Sequence, residues 1–215
     1  GIASLVIAYD QLFKLGMQFD QLVEASMIGS GSAPRSLLSG FVILNVEDQV
    51  TSQTILEPEE WPLSIIICIT DEKEKIISSR EGMEISRNTS PLYQSWLDSN
   101  KKDIQIAKSA ITEKNFRRLG EVAERNCYLM HEVMRTSSPK ISYMTESTNK
   151  CIKEINNIRD DGTDLFFTID AGPQVKIVCK PDDKDLIKTN FSNKPYVTKI
   201  VEANIGLGAR VIYEG

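Results

Sequence analysis

Two periodicities divide the apolar residues of this chain. Unbroken runs rich in β-branched and aromatic residues mark strands at Phe41–Val46 and at Ser64–Thr70, and the second run fits a central buried strand. Two more flank an Asp-Ala-Gly-Pro corner in the stretch Phe166–Cys179, which reads as a hairpin holding the Asp170 carboxylate at a strand end. Gly172 is expected to use backbone angles closed to other residues, with Pro173 fixing the next turn of the chain. Apolar spacing near 3.6 predicts helices at residues 2–14, where the apolar density suggests a buried one, and at 18–28, 81–87, 116–134, 145–158 and 182–189. Ser90 and Pro91 open a further helix that residues 102–109 continue or follow with another. Residues 48–60 read as a polar loop, and 197–203 and 210–213 as edge strands around Gly206-Leu207-Gly208. Helices in succession, then a hairpin, a helix and a strand, form the order of an α+β domain with helices laid on an antiparallel sheet.

The 215 residues suffice for one large or two small domains, and 41% hydrophobic with 26% charged residues is ordinary for a globular protein. A net charge of −5 speaks against a non-specific nucleic-acid binder, although a local basic pocket is compatible with it. No apolar run reaches 18 residues and no basic leader precedes one, so a soluble cytoplasmic protein without a membrane partner is expected. The opening residues, which lack a Met, read as the middle of a longer chain. Cys68, Cys127, Cys151 and Cys179 form no C-x-x-C pair, which argues against structural zinc. Reduced thiols are the default, with a Cys127–Cys151 disulfide left open by the spacing. His131 is the one histidine, and packing or hydrogen bonding is its expected role.

A second informative stretch runs from Gly29 to Gly40. A Gly/Ser-rich helix start favours an anion, Ser30, Ser32 and Ser36 add hydroxyls, and Arg35 offers a fork suited to phosphate or carboxylate. As a bare pattern it is equally a flexible connector. Asp170 alone is likewise readable as a turn former.

In combination these segments are more specific. Gly29-Ser30-Gly31-Ser32-Ala33 with Arg35-Ser36, Glu81-Gly82-Met83 with Thr89-Ser90-Pro91-Leu92, Met130-His131 and Asp170-Ala171-Gly172-Pro173 occur in order. They resemble the motifs of the mevalonate diphosphate decarboxylase family, a branch of the GHMP kinase superfamily. The resemblance implies a GHMP-kinase-like α+β fold: a remnant of the N-terminal ATP lobe over 1–75, and a ferredoxin-like C-terminal α/β sandwich over 76–215. It implies ATP and Mg²⁺ as cofactors, mevalonate 5-diphosphate as substrate and a homodimer. The 3-hydroxyl would be phosphorylated, and loss of phosphate and CO₂ would give isopentenyl diphosphate.

By the same resemblance Asp170 is the catalytic residue. Ser30, Gly31, Ser32, Arg35 and Ser36 bind substrate, and Gly1, Ala3 and Ser4 match the first residues of the ATP loop. No protein ligand to a metal is expected. Pro34, Ser39 and Gln174 depart from the family pattern without removing Asp170 or Arg35. The rest of the ATP loop is absent, and Ile65–Ile69 is expected to lack its usual sheet partners. Three alternatives stay open: a phosphomevalonate decarboxylase, a 3-kinase-like relative, and a truncated non-catalytic chain. The cluster Lys73, Lys75 and Arg80 could guide phosphates, with a solvated loop the simpler account.

Overall fold

A computed structural model describes residues 1–46, 50–73 and 75–212. The chain divides into two compact units, Gly1–Pro62 with the described part of Ile205–Gly215, and Leu63–Asn204. A division at 75/76 would cut elsewhere. The strand at Ser64–Ile69 groups with the second unit because its backbone is hydrogen-bonded there on both sides.

In the first unit, α1 (Ile2–Phe13) and α2 (Phe19–Gly29) lead through a 3₁₀ turn (Ala33–Leu37) into a hairpin of β1 (Phe41–Asn45) and β2 (Thr51–Leu56). The polar stretch expected as a loop therefore contains a strand. Thr51, Thr54 and Ile55 suit a pleated ribbon even where one face stays wet. Residues 48 and 49 of that stretch, and Tyr213 of the expected last strand, lie outside the described residues; Val211 and Ile212 are irregular.

The burial expected for α1 does not hold. Ala3 packs with Val23 and Leu37, whereas Leu5, Tyr9, Leu12 and Phe13 are each more than half exposed. Within this unit the helix meets α2 and the 3₁₀ turn on one face, and those small elements cover a narrow stripe. Asp10 is buried because its carboxylate accepts the Met17 amide at 2.8 Å where the chain turns at Gly16.

The second unit is built on β3 (Ser64–Ile69), β4 (Leu165–Ile169), β5 (Val175–Cys179) and β6 (Lys199–Asn204), an antiparallel sheet in the order β4-β5-β3-β6. β3 thus has partners on both sides, contrary to the expectation that it would lack them: Ile66 faces Ile177 in β5 and Glu202 in β6.

The helices are α3 (Ser79–Thr89), α4 (Tyr93–Thr112), α5 (Phe116–Arg135), α6 (Glu146–Asp160) and α7 (Lys184–Ser192). α4 runs unbroken through residues 102–109, and Ser90 ends α3 while its hydroxyl meets Thr136 at 2.8 Å. α5 starts where the Asn115 side chain accepts the Arg118 amide, and α6 where Thr145 and Thr148 cap each other reciprocally.

Alternation on the strands sends Ile66, Cys68, Phe167, Ile169, Val175 and Ile177 into one core with Ile155 of α6 and Ile187 and Phe191 of α7. All four cysteines are buried and free, so the open question of a Cys127–Cys151 disulfide resolves to reduced thiols. No helix among the described residues is long and apolar enough to cross a membrane.

Candidate active site

Asp170 stands immediately after β4, in the five-residue connection to β5. Side chains from three directions hold that connection. Thr70, just past β3, donates its hydroxyl to the Pro173 carbonyl at 2.9 Å, and Thr148 in the first turn of α6 donates to the same oxygen at 2.9 Å. The Gln174 amide accepts from the Thr70 N–H at 2.7 Å and donates to the Asp71 carbonyl at 2.5 Å. Lys75 reaches the Ala171 carbonyl at 2.8 Å and the Ser79 hydroxyl at 3.0 Å, so this lysine is tied to the corner and not merely solvated.

The longer reach of Gln174, a departure from the family pattern, spans the gap to β3. Gly172 does not use a left-handed conformation, and a Cβ there would touch only Lys75 at 3.9 Å; the turn is shaped by its partners and not by glycine's freedom.

The Asp170 side chain is 77% exposed, and its Oδ2 accepts from Lys176 at 2.6 Å. Lys176 sits across the hairpin from Thr168, one step diagonal to Asp170. An ion pair with so exposed a carboxylate is weak. Asp170, Ile169 and Thr168 close one end of a cavity of about 330 Å³ between α4 and α5. Leu119, Ala123 and Met130 of α5 line it. At its rim the buried Asp103 pairs with Arg125 and accepts from Asn126 at 3.1 Å.

Behind Asp170 the Ile169 carbonyl accepts from His131 Nε2 at 3.2 Å and from the Cys127 thiol at 3.6 Å. Burial pushes the Cys127 thiol up to about 11, which keeps it protonated as a donor. Burial also lowers the His131 pKa from its ordinary 6.5, against the opposing pull of the Ile169 carbonyl and Asp170. Well above pH 6.5 the imidazole is neutral in both folded and unfolded chains and adds no pH dependence. As pH falls below that value the unfolded chain takes the proton first, so stability drops until the lowered folded pKa is passed. Urea midpoints at about pH 7.5 and about pH 5.5 are expected to differ, and His131→Gln is expected to reduce the difference.

In the first unit, Ser4, Arg35 and Ser36 line a cavity of about 510 Å³ with Gly40 and the segment Gly206–Ala209. The Ala209 amide donates to the Ser36 carbonyl at 2.8 Å and Gly40 to the Gly206 carbonyl at 2.9 Å. A Cβ on Gly208, at φ +74°, would lie 2.7 Å from the Leu38 carbonyl carbon, so this wall requires glycine.

Ser30, Gly31 and Ser32 do not line that cavity. The Ser30 and Ser32 hydroxyls lie 3.2 Å apart, and the Ser32 and Ala33 amides bond back to Ser30 instead of turning outward. Pro34 is fully buried, which accounts for an apolar residue at that position. Gly1 caps α1, and Ile2–Ser4 form its first helical turn in place of a loop; the Ala3 side chain is spent in the core.

The residue pattern signalled Asp170 and Arg35 but not Lys176, Thr70, Thr148 or the Gly206–Ala209 wall. Hairpin register would have found Lys176, since it lies near Asp170 on the facing strand. The others are distant in sequence, and only the tertiary fold brings them in.

The architecture of the second unit, an antiparallel sheet backed by helices, is that of the GHMP-kinase-like α+β proteins. Residues 65–205 match the family model described as the mevalonate 5-diphosphate decarboxylase C-terminal domain, and residues 1–55 match that of the diphosphomevalonate decarboxylase-like N-terminal domain. The chain belongs to the mevalonate 5-diphosphate decarboxylase family. The diphosphomevalonate decarboxylase of Candida albicans is 28% identical over 97% of this chain and 64% of its own length.

The crystal structure of mevalonate diphosphate decarboxylase from Staphylococcus aureus superimposes with a TM-score of 0.88 at 32% identity, over 97% of this chain and 64% of that one. A structure solved as "MDDEF in complex with MVAPP, AMPPCP and Magnesium" gives 0.88 at 31% identity, over 97% and 65%. The chain therefore spans about two thirds of the length of these relatives.

Proposed function

We propose that this chain carries the catalytic carboxylate of an ATP-dependent decarboxylase of mevalonate 5-diphosphate, with Asp170 in that role. The observation that carries the reading is an exposed carboxylate held at a strand end by a corner that Thr70 after β3, Thr148 of α6 and its own Gln174 fix in place, within the stretch that matches the family's C-terminal model. ATP would supply the phosphoryl group that turns a tertiary hydroxyl, a poor leaving group, into a good one. Asp170 would accept the proton of the 3-hydroxyl as the oxygen attacks the phosphoryl group. Once phosphate departs, the electron-poor C3 draws the carboxylate's bonding pair, CO₂ leaves, and the double bond of isopentenyl diphosphate forms.

Arg35 is assigned to the substrate's anionic groups, where a planar fork with several donors matches phosphate oxygens. Ser4 and Ser36, on the same cavity, would add hydroxyl donors. Among the described residues no cluster of three or more His, Cys, Asp or Glu side chains could hold a metal ion. Mg²⁺ would arrive on the nucleotide phosphates, its usual manner of binding at such sites. The relative solved with MVAPP, AMPPCP and magnesium supports the choice of substrate, nucleotide and ion. The free thiols support a reducing, cytoplasmic setting, and a homodimer is proposed on the family resemblance. The test is ATP- and Mg²⁺-dependent release of CO₂ from carboxyl-labelled mevalonate 5-diphosphate. The reading predicts release that stops when either is withheld; no release, with no heat of binding for ATP or substrate in calorimetry, overturns it for this chain.

A further inference from the structure

β4 is the outer strand of its sheet, and its free edge is occupied by side chains instead of another strand. The Leu165 carbonyl accepts from Arg159 Nε at 3.2 Å, the Phe167 amide donates to Glu124 at 3.1 Å, and the Ile169 carbonyl accepts from His131 Nε2 at 3.2 Å. These alternate backbone groups face away from β5, as an antiparallel edge requires. Arg159 and Glu124 pair with each other at 2.5 Å, so the first two contacts form one unit that seals the edge. The third is different in kind. The ladder between β4 and β5 ends at Ile169 opposite Val175, and Asp170 lies just beyond it.

We propose that His131 is the positioning residue for Asp170, acting through the Ile169 carbonyl. The reason is the rigidity of the peptide unit. The oxygen that His131 holds, the Ile169 carbonyl carbon and the Asp170 nitrogen and Cα all lie in one plane. A lateral bond to that oxygen therefore fixes the orientation from which the Asp170 side chain departs, at the point where the ladder stops doing so. A carbonyl only accepts, so Nε2 carries the proton and Nδ1 is bare in the neutral ring. The Cys127 thiol, a weaker donor at 3.6 Å, reinforces the same oxygen from one helical turn away. Orientation of a reacting group matters steeply: a misplacement of about 1 Å can cost about a hundredfold in rate. The proposal rests on the reading of Asp170 as the group that meets the substrate hydroxyl.

The experiment compares His131→Phe, which keeps a ring and loses the donor, with His131→Gln, whose amide nitrogen can restore it. In the CO₂-release assay His131→Phe is expected to lower kcat about tenfold with KM for mevalonate 5-diphosphate within about twofold, and His131→Gln to recover most of the loss. By NMR on the unchanged chain, neutral His131 is expected to carry its proton on Nε2. In His131→Phe the Ile169 carbonyl carbon is expected to shift and the Asp170 amide to broaden, and both should revert in His131→Gln.

A proton on Nδ1, or unchanged Ile169 and Asp170 signals in the phenylalanine variant, overturns the proposal. So does full kcat in that variant while Asp170→Asn is inactive. If the unchanged chain releases no CO₂ and binds neither ATP nor substrate, the decarboxylase reading is lost while the NMR results still decide whether His131 orients Asp170. If His131→Phe fails to fold, the tautomer in the unchanged chain decides.

Discussion

Replacing Asp170 with Asn is expected to lower the rate of CO₂ release by about 10²- to 10⁴-fold, the range ascribed to a positioned proton acceptor. Asn has the same shape and keeps one oxygen as an acceptor, so it can still touch a substrate hydroxyl. It cannot take the proton, which is what the proposed phosphorylation step would ask of the side chain. The loss should therefore fall on kcat, with KM for the substrate little changed.

The fold gives no reason for a confounding collapse. The side chain is 77% exposed, and its ion pair with Lys176 is of a surface type that contributes at most about 1 kcal/mol. The corner hangs on Thr70, Thr148, Gln174 and Lys75, none of which bonds the Asp170 carboxylate. The measurement is single-turnover CO₂ release, run beside a denaturation curve for the same variant. Near-normal turnover with an unchanged denaturation midpoint would remove Asp170 from the mechanism.

How far the sequence revealed this arrangement depends on the range of the interactions involved. The hairpin around Asp170 and helices α5 and α6 were legible because local rules set them: β-branched and aromatic runs on either side of a tight corner, and apolar spacing near 3.6 residues. β2 was not, because Thr51–Leu56 has a mixed pattern whose strand character depends on pairing with β1. The exposure of α1 was hidden for a related reason. Leu5, Tyr9 and Leu12 announce an apolar face, but a sequence does not say what neighbours are present to cover it.

The expectation for Gly172 attached a general property of glycine to a turn that does not use it. Gly208, which carries the left-handed geometry and the tight approach to Leu38, was passed over as part of a link between strands. Candidate chemistry showed the same split. Asp170 and Arg35 stood out as residue types in motifs, while Lys176 and the clamps on Pro173 and Gln174 depended on register and tertiary packing.

Phe167→Ala is expected to destabilise the second unit by about 3–5 kcal/mol, the cost of removing a buried aromatic ring and leaving a cavity. Phe167 is 1% exposed at the centre of the core shared by β3, β5, α6 and α7. Its ring meets Tyr128 of α5 edge-on with centroids 5.7 Å apart, an arrangement that adds to plain burial. The neighbouring contacts offer little room for collapse. The Phe167 amide is tied to Glu124, and the adjacent Phe166 of the same strand is packed so closely on α5 that a Cβ on Gly120 would lie within 3.0 Å of it.

A domain of this size has only about 5–15 kcal/mol of stability in all, so the substitution should remove a large part of it. Urea denaturation followed by tryptophan fluorescence from Trp96 reports on this unit, with Trp61 in the other replaced by Phe as background. The midpoint should fall with the slope unchanged. A shift worth less than about 1 kcal/mol would mean that the core repacks around the gap, and that the strand carrying Asp170 is held mainly by its hydrogen-bonded edge.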